Sequence, residues 1–165
     1  MFSSVPGAPV TSLAQAVAIR AFLSITPQRG QEEAVAERDL REAREAFAAF
    51  IALEAAHDPA VVDSYAEDGV VIERWVEDGC ERPSRELPLK RYKEMLTEAL
   101  QISRKAGEHS THRRVTFQHV APGWVVVRSQ RDYTHSRAQA PYEAVLKREA
   151  DGRWRVTKEV ATIVM

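Results

Sequence analysis

Glu73 is the residue from which chemistry is most readily built. It stands two positions after Val71 and two before Trp75, a spacing that puts all three side chains on one face of a strand. A carboxylate between an aliphatic chain and an indole, on a face lining a dry pocket, has its charged form disfavoured. The expectation is a pKa raised toward the range where a carboxyl moves protons near neutral pH. On a solvent-facing edge strand the same residue pairs instead with an arginine, Arg82 or Arg85. The histidines are His57, His109, His112, His119 and His135. None shows the i,i+4 or histidine-x-histidine spacing with carboxylates that marks a metal site, so no metal is expected. His112 and His119 fall in one predicted strand, on opposite faces by parity. His112 is a candidate acid or base if its face reaches a pocket, and otherwise a hydrogen-bonded strand residue. Arg128 and Asp132 share a face of the next strand, as a polar pocket pair or, more simply, as members of cross-strand salt bridges. Cys80 sits beside a turn without a nearby histidine, which leaves a nucleophilic role unsupported. There is no glycine-rich phosphate loop and no Gly-x-Ser-x-Gly elbow, and no cofactor is expected.

The elements that must position these groups follow from periodicity. Residues 31–57 read as one long helix, with Val35, Leu40, Ala43, Phe47, Phe50 and Ile51 on one stripe. Asp58-Pro59 reads as an N-cap and first helical position, opening a short second helix with Val61, Val62 and Tyr65 that Gly69 ends. Residues 70–76 form a strand, Asp78-Gly79 a hairpin turn, and residues 80–86 a polar edge strand. Pro88 opens a third helix carrying Leu89, Tyr92, Leu96 and Ala99, closed by Gly107. Four strands then follow through the turns Pro122-Gly123 and Asp151-Gly152. The expected class is α+β: a strongly curved antiparallel sheet wrapped on three helices.

The whole chain has 165 residues, 44% hydrophobic and 28% charged, with a net charge of −1. That suits one domain with a proper core, and it supplies no electrostatic pull toward nucleic acid or an acidic membrane surface. A lone cysteine excludes an internal disulfide framework. No run approaches the roughly 20 apolar residues of a membrane helix. Residues 1–30 are expected to be an N-terminal extension, a tail plus an extra helix carrying Leu13, Val17 and Phe22, ahead of a domain over 31–165. A secretory signal fits less well, because Arg20 interrupts the apolar stretch where a signal carries its charge before it. The expected location is cytoplasmic, with secretion or a periplasmic site left open.

Two local patterns resemble a known superfamily. Tyr65-Ala66-Glu67-Asp68-Gly69-Val70-Val71-Ile72 resembles the turn into the first strand of nuclear-transport-factor-2-like proteins, and Asp151-Gly152-Arg153-Trp154-Arg155-Val156 the turn into their last. This superfamily includes ketosteroid isomerase and polyketide-cyclase-type proteins. The resemblance covers residue 31 to the end, and it implies a cone with a mostly apolar pocket at its wide end. Similar isomerases place a catalytic carboxylate eight residues beyond the tyrosine of the short helix, which here is Glu73. Their oxyanion-binding acid falls on Ala144 and their helix-one tyrosine near Ala49. Alanine can do neither job, so steroid isomerase activity is not expected. Tyr142, on the face of Ala144, is a replacement hydroxyl or an ordinary strand tyrosine.

The resulting expectation is a small-molecule pocket protein, acting as an acid–base enzyme of isomerase, dehydratase or cyclase type on an apolar organic substrate. Glu73 moves the proton, Tyr142 or His112 polarises the acceptor, and Phe47, Phe50, Tyr65 and Trp75 line the cavity. The alternative is a non-catalytic ligand-binding or dimerisation module of the same fold. A homodimer through the open sheet face is expected in either case.

Overall fold

The computed structural model describes residues 13–134 and 139–164, with side chains from residue 28 onward apart from that of Gln139. Helix α1 spans Leu13–Ala55 without a break. The chain divides into two compact units, one up to Val35 and one from Ala36 on. The side chains of Leu13, Val17 and Phe22 lie outside the described residues, as does His135.

From Ala36 onward the stripe of α1 buries Ala43, Phe47 and Phe50. Asp58 caps the next turn as expected, its carboxylate accepting from the Ala60 amide at 2.9 Å. That turn is a 3-10 helix only, Pro59–Ser64. Tyr65 already begins strand β1, Tyr65–Glu77, where a helix had been expected to run to Gly69. Adjacent Val61 and Val62 resist a longer helix, and Tyr65 pairs with Val156 across the sheet. The rest follows the expected order: β2 Cys80–Pro88, α2 Leu89–Ala106, β3 Ser110–Ala121, β4 Trp124–Tyr133, β5 Gln139–Arg148 and β6 Trp154–Val164. Gly107 ends α2 in a left-handed conformation, with its own amide and that of Glu108 bonded back into the last turn.

The six strands form one open sheet in the order β2-β1-β6-β5-β4-β3. It is mixed, not wholly antiparallel: β1 and β6 run parallel. Within two blocks, β1–β2 and β3–β6, the pairs β1–β2, β3–β4, β4–β5 and β5–β6 are antiparallel. The two blocks are joined through α2, and a long helical crossover permits parallel pairing at the seam. Register shifts interrupt β1–β2, β1–β6, β3–β4 and β5–β6, and such bulges bend and twist a sheet. The class is α+β, with the helices on one face. The core lies between that face and α1, the 3-10 helix and α2, joining Phe47, Phe50, Val61, Leu96, Val127 and Leu146. No helix among the described residues is long and apolar enough to cross a membrane.

One glycine is indispensable to this arrangement. Gly69 has φ +148°, and a Cβ there would lie 1.9 Å from the Thr157 carbonyl oxygen. It lets β1 approach β6 where both strands carry extra residues, between Tyr65 and Val70 and between Val156 and Lys158.

Candidate active site

Alternation places Tyr65, Val71 and Glu73 of β1 beside Val156, Glu159 and Ala161 of β6, on the face that meets the helices. Two charged side chains are buried on the sheet there with α1 supplying a third: Glu159 is fully buried, while Arg131 of β4 and Glu54 of α1 are 12% and 8% exposed. Glu54 Oε1 accepts from Arg131 at 2.5 Å. Glu159 Oε1 lies 3.8 Å from the same guanidinium, and Glu159 Oε2 accepts the Tyr65 hydroxyl at 2.6 Å. Two carboxylates thus share one guanidinium.

Their protonation differs. Burial pushes the Glu159 carboxyl up, and Glu54 adds to this. Arg131 and the Tyr65 hydroxyl pull against them, and the balance is about 7. Burial pushes Glu54 up as well, but Arg131 and His112 outweigh it and hold Glu54 below its ordinary value. Burial disfavours the Arg131 charge, yet Glu54 leads the groups that keep its pKa well above normal. Burial, followed by Glu159, holds the Tyr65 hydroxyl far above the usual range, so it acts as a donor. One carboxyl is therefore kept ionised while its neighbour titrates near neutrality.

His112 stands against this cluster. Its side chain is 1% exposed, with Nε2 3.7 Å from Glu54 Oε2, and its Nδ1 lies 2.8 Å from the Ser129 hydroxyl. The Tyr142 ring meets the His112 ring edge-on at 4.7 Å. The Tyr142 hydroxyl, His112 Nε2, Glu54 Oε2 and Glu159 Oε1 are buried without a hydrogen-bond partner. Polar atoms in that condition are uncommon in native interiors.

His119 corrects the parity expectation. It also turns inward, with Nε2 3.3 Å from Asp39 of α1. Between it and His112 the β3–β4 register slips by one residue, and Arg114 takes a φ of +53°. An inserted residue exchanges the two faces beyond it. Arg128 and Asp132 do not meet as a pocket pair: Arg128 bonds Glu143 at 2.8 Å and Asp132 pairs with Arg113. Cys80 is exposed and free.

Of the residues singled out from sequence, His112, Tyr142, Phe47, Phe50 and Tyr65 are brought together. Phe47 contacts Phe50, His112 and Tyr142 at ring distances of 5.7, 5.5 and 6.2 Å, and Phe50 meets Tyr65 edge-on. These aromatics pack the core around the polar cluster. Trp75 is half-buried nearer the end of β1. Glu73 has a double setting. Its carboxylate accepts from Arg85 at 2.9 and 2.7 Å, yet it also lines a cavity of about 180 Å³ with Glu54, Tyr92, Arg131, Tyr133 and Ala161. Glu54, Arg131 and Glu159 were not singled out from the sequence. Their signal was present in the pattern, as charges on otherwise apolar faces: Glu54 four residues after Phe50, and Arg131 in step with Val125, Val127 and Ser129.

No protein-family model matches the sequence, and no curated protein matches it. Solved structures do match. An uncharacterised protein with a cystatin-like fold from Caulobacter vibrioides is 17% identical with a TM-score of 0.56, over 76% of this chain and 89% of that one. A candidate scytalone dehydratase from Novosphingobium aromaticivorans is 15% identical with a TM-score of 0.54, over 78% and 86%. A candidate calcium/calmodulin-dependent protein kinase II association domain from Xanthomonas campestris is 19% identical with a TM-score of 0.54, over 74% and 85%. These likenesses, none above 19% identity, show a shared α+β fold and nothing beyond it.

Proposed function

We propose that this chain is a small-molecule pocket protein that performs acid–base chemistry on an organic substrate, as an isomerase, dehydratase or cyclase does. One observation carries this reading: two buried carboxyls, Glu54 and Glu159, lie 2.5 and 3.8 Å from the one Arg131 guanidinium, in surroundings that lower the first and raise the second to about 7. Carboxylates whose surroundings push their pKa values apart are a recurrent basis for acid and base roles at one site. In this reading Glu159 gives and takes the proton, and Tyr65 positions it. Arg131 stabilises negative charge developing on the substrate, and His112 and Tyr142 add polar contacts. Glu73, at the cavity wall, is a second candidate proton carrier.

A second reading is favoured by the seclusion of Glu159, which is fully buried behind the cavity wall. It is a non-catalytic ligand-binding or dimerisation module whose polar cluster serves structure. The two separate in one experiment. Small ketones and hydroxy-ketones are incubated with the protein in deuterated buffer, and exchange of their acidic C–H protons is followed by NMR. Catalysed exchange that is lost in Glu159→Gln supports the enzyme. No exchange above buffer with any compound in a broad panel supports the module.

A further inference from the structure

The cavity is acceptor-rich. Glu54 and Glu73 line it, and Glu159 lies behind Arg131; Arg131 is the one lysine or arginine in its wall among the described residues. Arg85, the partner of Glu73, is half exposed at the sheet edge. Three carboxylates therefore face two guanidiniums, one of which is largely spent on solvent. Glu54 is more than nine-tenths buried, and its Oε2 has no hydrogen-bond partner. Apart from Ser103, the remaining wall is apolar and aromatic, with Val71, Leu96, Leu100, Ile163 and the rings of Tyr92 and Tyr133. Aromatic faces beside carboxylates favour a cation with an apolar body.

We infer that this cavity binds a small organic amine in its protonated form, its ammonium group facing Glu54 and Glu73 and its body lying against Leu96, Leu100 and Ile163. The inference rests on reading the cavity as a ligand pocket, and it adds the ligand's charge. A carboxylate-bearing ligand is excluded by the same field. The ligand's competitor is a proton on Glu159. Glu159 is faced by Tyr65 and Glu73 from β1, Tyr92 from α2, Arg131 from β4, Tyr142 from β5 and Glu54 from α1. Only Arg131 among these is a cation, so ionisation of Glu159 makes the cavity more negative and amine binding tighter.

Titration calorimetry on the full chain tests this with benzylamine, benzyl alcohol and benzoate as probes, at about pH 6 and pH 8, either side of the Glu159 titration. Benzylamine is expected to bind best, and to tighten about tenfold between the two pH values while benzyl alcohol does not change. Glu73→Gln and Glu54→Gln are each expected to weaken benzylamine more than benzyl alcohol. Glu54→Gln leaves Arg131 without its closest partner, so Glu159→Gln provides a second variant: it flattens the pH dependence. Benzyl alcohol binding as tightly as benzylamine at both pH values overturns the amine inference and leaves the pocket intact. If no probe binds at millimolar concentration, the pocket reading itself falls.

Discussion

The Tyr65 hydroxyl donates to Glu159 at 2.6 Å, tying the first residue of β1 to the middle of β6 across 94 positions of sequence. Both groups are fully buried, so neither has water as a substitute partner. Tyr65→Phe removes the donor and keeps the ring against Phe50 and Tyr92. The expected loss is about 1–3 kcal/mol, and it is larger at pH 8 than at pH 6 because the ionised carboxylate needs the donor more. Urea unfolding of both proteins at the two pH values measures this. An equal loss at both would mean that the bond does not distinguish the two forms of Glu159.

Glu159 also sets a pH dependence whose sign can be worked out. Its folded pKa of about 7 lies above the ordinary 4.5, so between these values the native state binds the proton that the unfolded chain has released. Stability therefore falls as pH rises through that window. The contribution is complete below the unfolded value, and its loss by pH 8 is about 3 kcal/mol as an order of magnitude. Glu54 acts in the opposite sense: its lowered pKa adds stability that is lost in acid. Thermal melts from pH 4 to pH 8 should decline toward the alkaline end in the wild type and stay flatter in Glu159→Gln.

The fold was legible because its punctuation is local. Asp58-Pro59, Gly107 and Asp151-Gly152 mark element ends by steric and capping rules that need no tertiary partner, whereas Gly69, expected to end a helix, lies inside β1. The site was legible only in part. His112, Tyr142 and Phe47 lie on faces that periodicity identifies, and they do meet. The parallel seam of β1 and β6 joins strands distant in sequence, and Glu54 of α1 meets Arg131 of β4 across 77 positions, so the Tyr65–Glu159 and Glu54–Arg131 pairings had no local trace. The bulge at Arg114 hid the fact that His112 and His119 share a face. A two-residue period carries no warning of an inserted residue.

Gly69→Ala tests the seam directly. The new Cβ would meet the Thr157 carbonyl at 1.9 Å and Leu89 Cδ1 at 2.7 Å, and a backbone atom cannot swing aside as a side-chain end can. The expected loss is ~3 kcal/mol or more, seen as a lowered melting temperature or failure to purify. Gly152→Ala is the control, since nothing lies within 4 Å of its added Cβ; with φ at +81° it should cost only the backbone strain.

The outer sheet face leads to the proposed homodimer. Trp124 is 39% exposed there, with the Lys147 amine 5.4 Å from its ring centre. A groove of about 310 Å³ runs between Arg74, Arg128, Pro141, Glu143, Val160 and Thr162. Paired copies would cover apolar and oppositely charged groups together. Light scattering should give twice the single-chain mass at micromolar concentration, and Val126→Asp should reduce it to one chain. A wild-type monomer would remove the proposal.

Glu73 and Glu159 are rival proton carriers, and the sign of a stability change separates them. The Glu73 carboxylate is 12% exposed and held by Arg85, itself 51% exposed. A pair so open to solvent contributes at most about 1 kcal/mol, and Glu73→Gln should cost a part of that at neutral pH. A gain would instead mean that Glu73 is ionised at a penalty, as its place between Val71 and Trp75 suggests from sequence. Glu159 has no solvent and only a distant share of Arg131, so ionising it carries the larger penalty. Glu159→Gln keeps the shape and the Tyr65 hydrogen bond while removing the charge, and it should be more stable than wild type at pH 8. If C–H exchange is detected, the variant that abolishes it identifies the carrier; the expectation is that Glu159→Gln loses more than Glu73→Gln. A larger loss in Glu73→Gln, together with a gain in its stability, would transfer the proton to β1 and leave Glu159 as the structural partner of Tyr65.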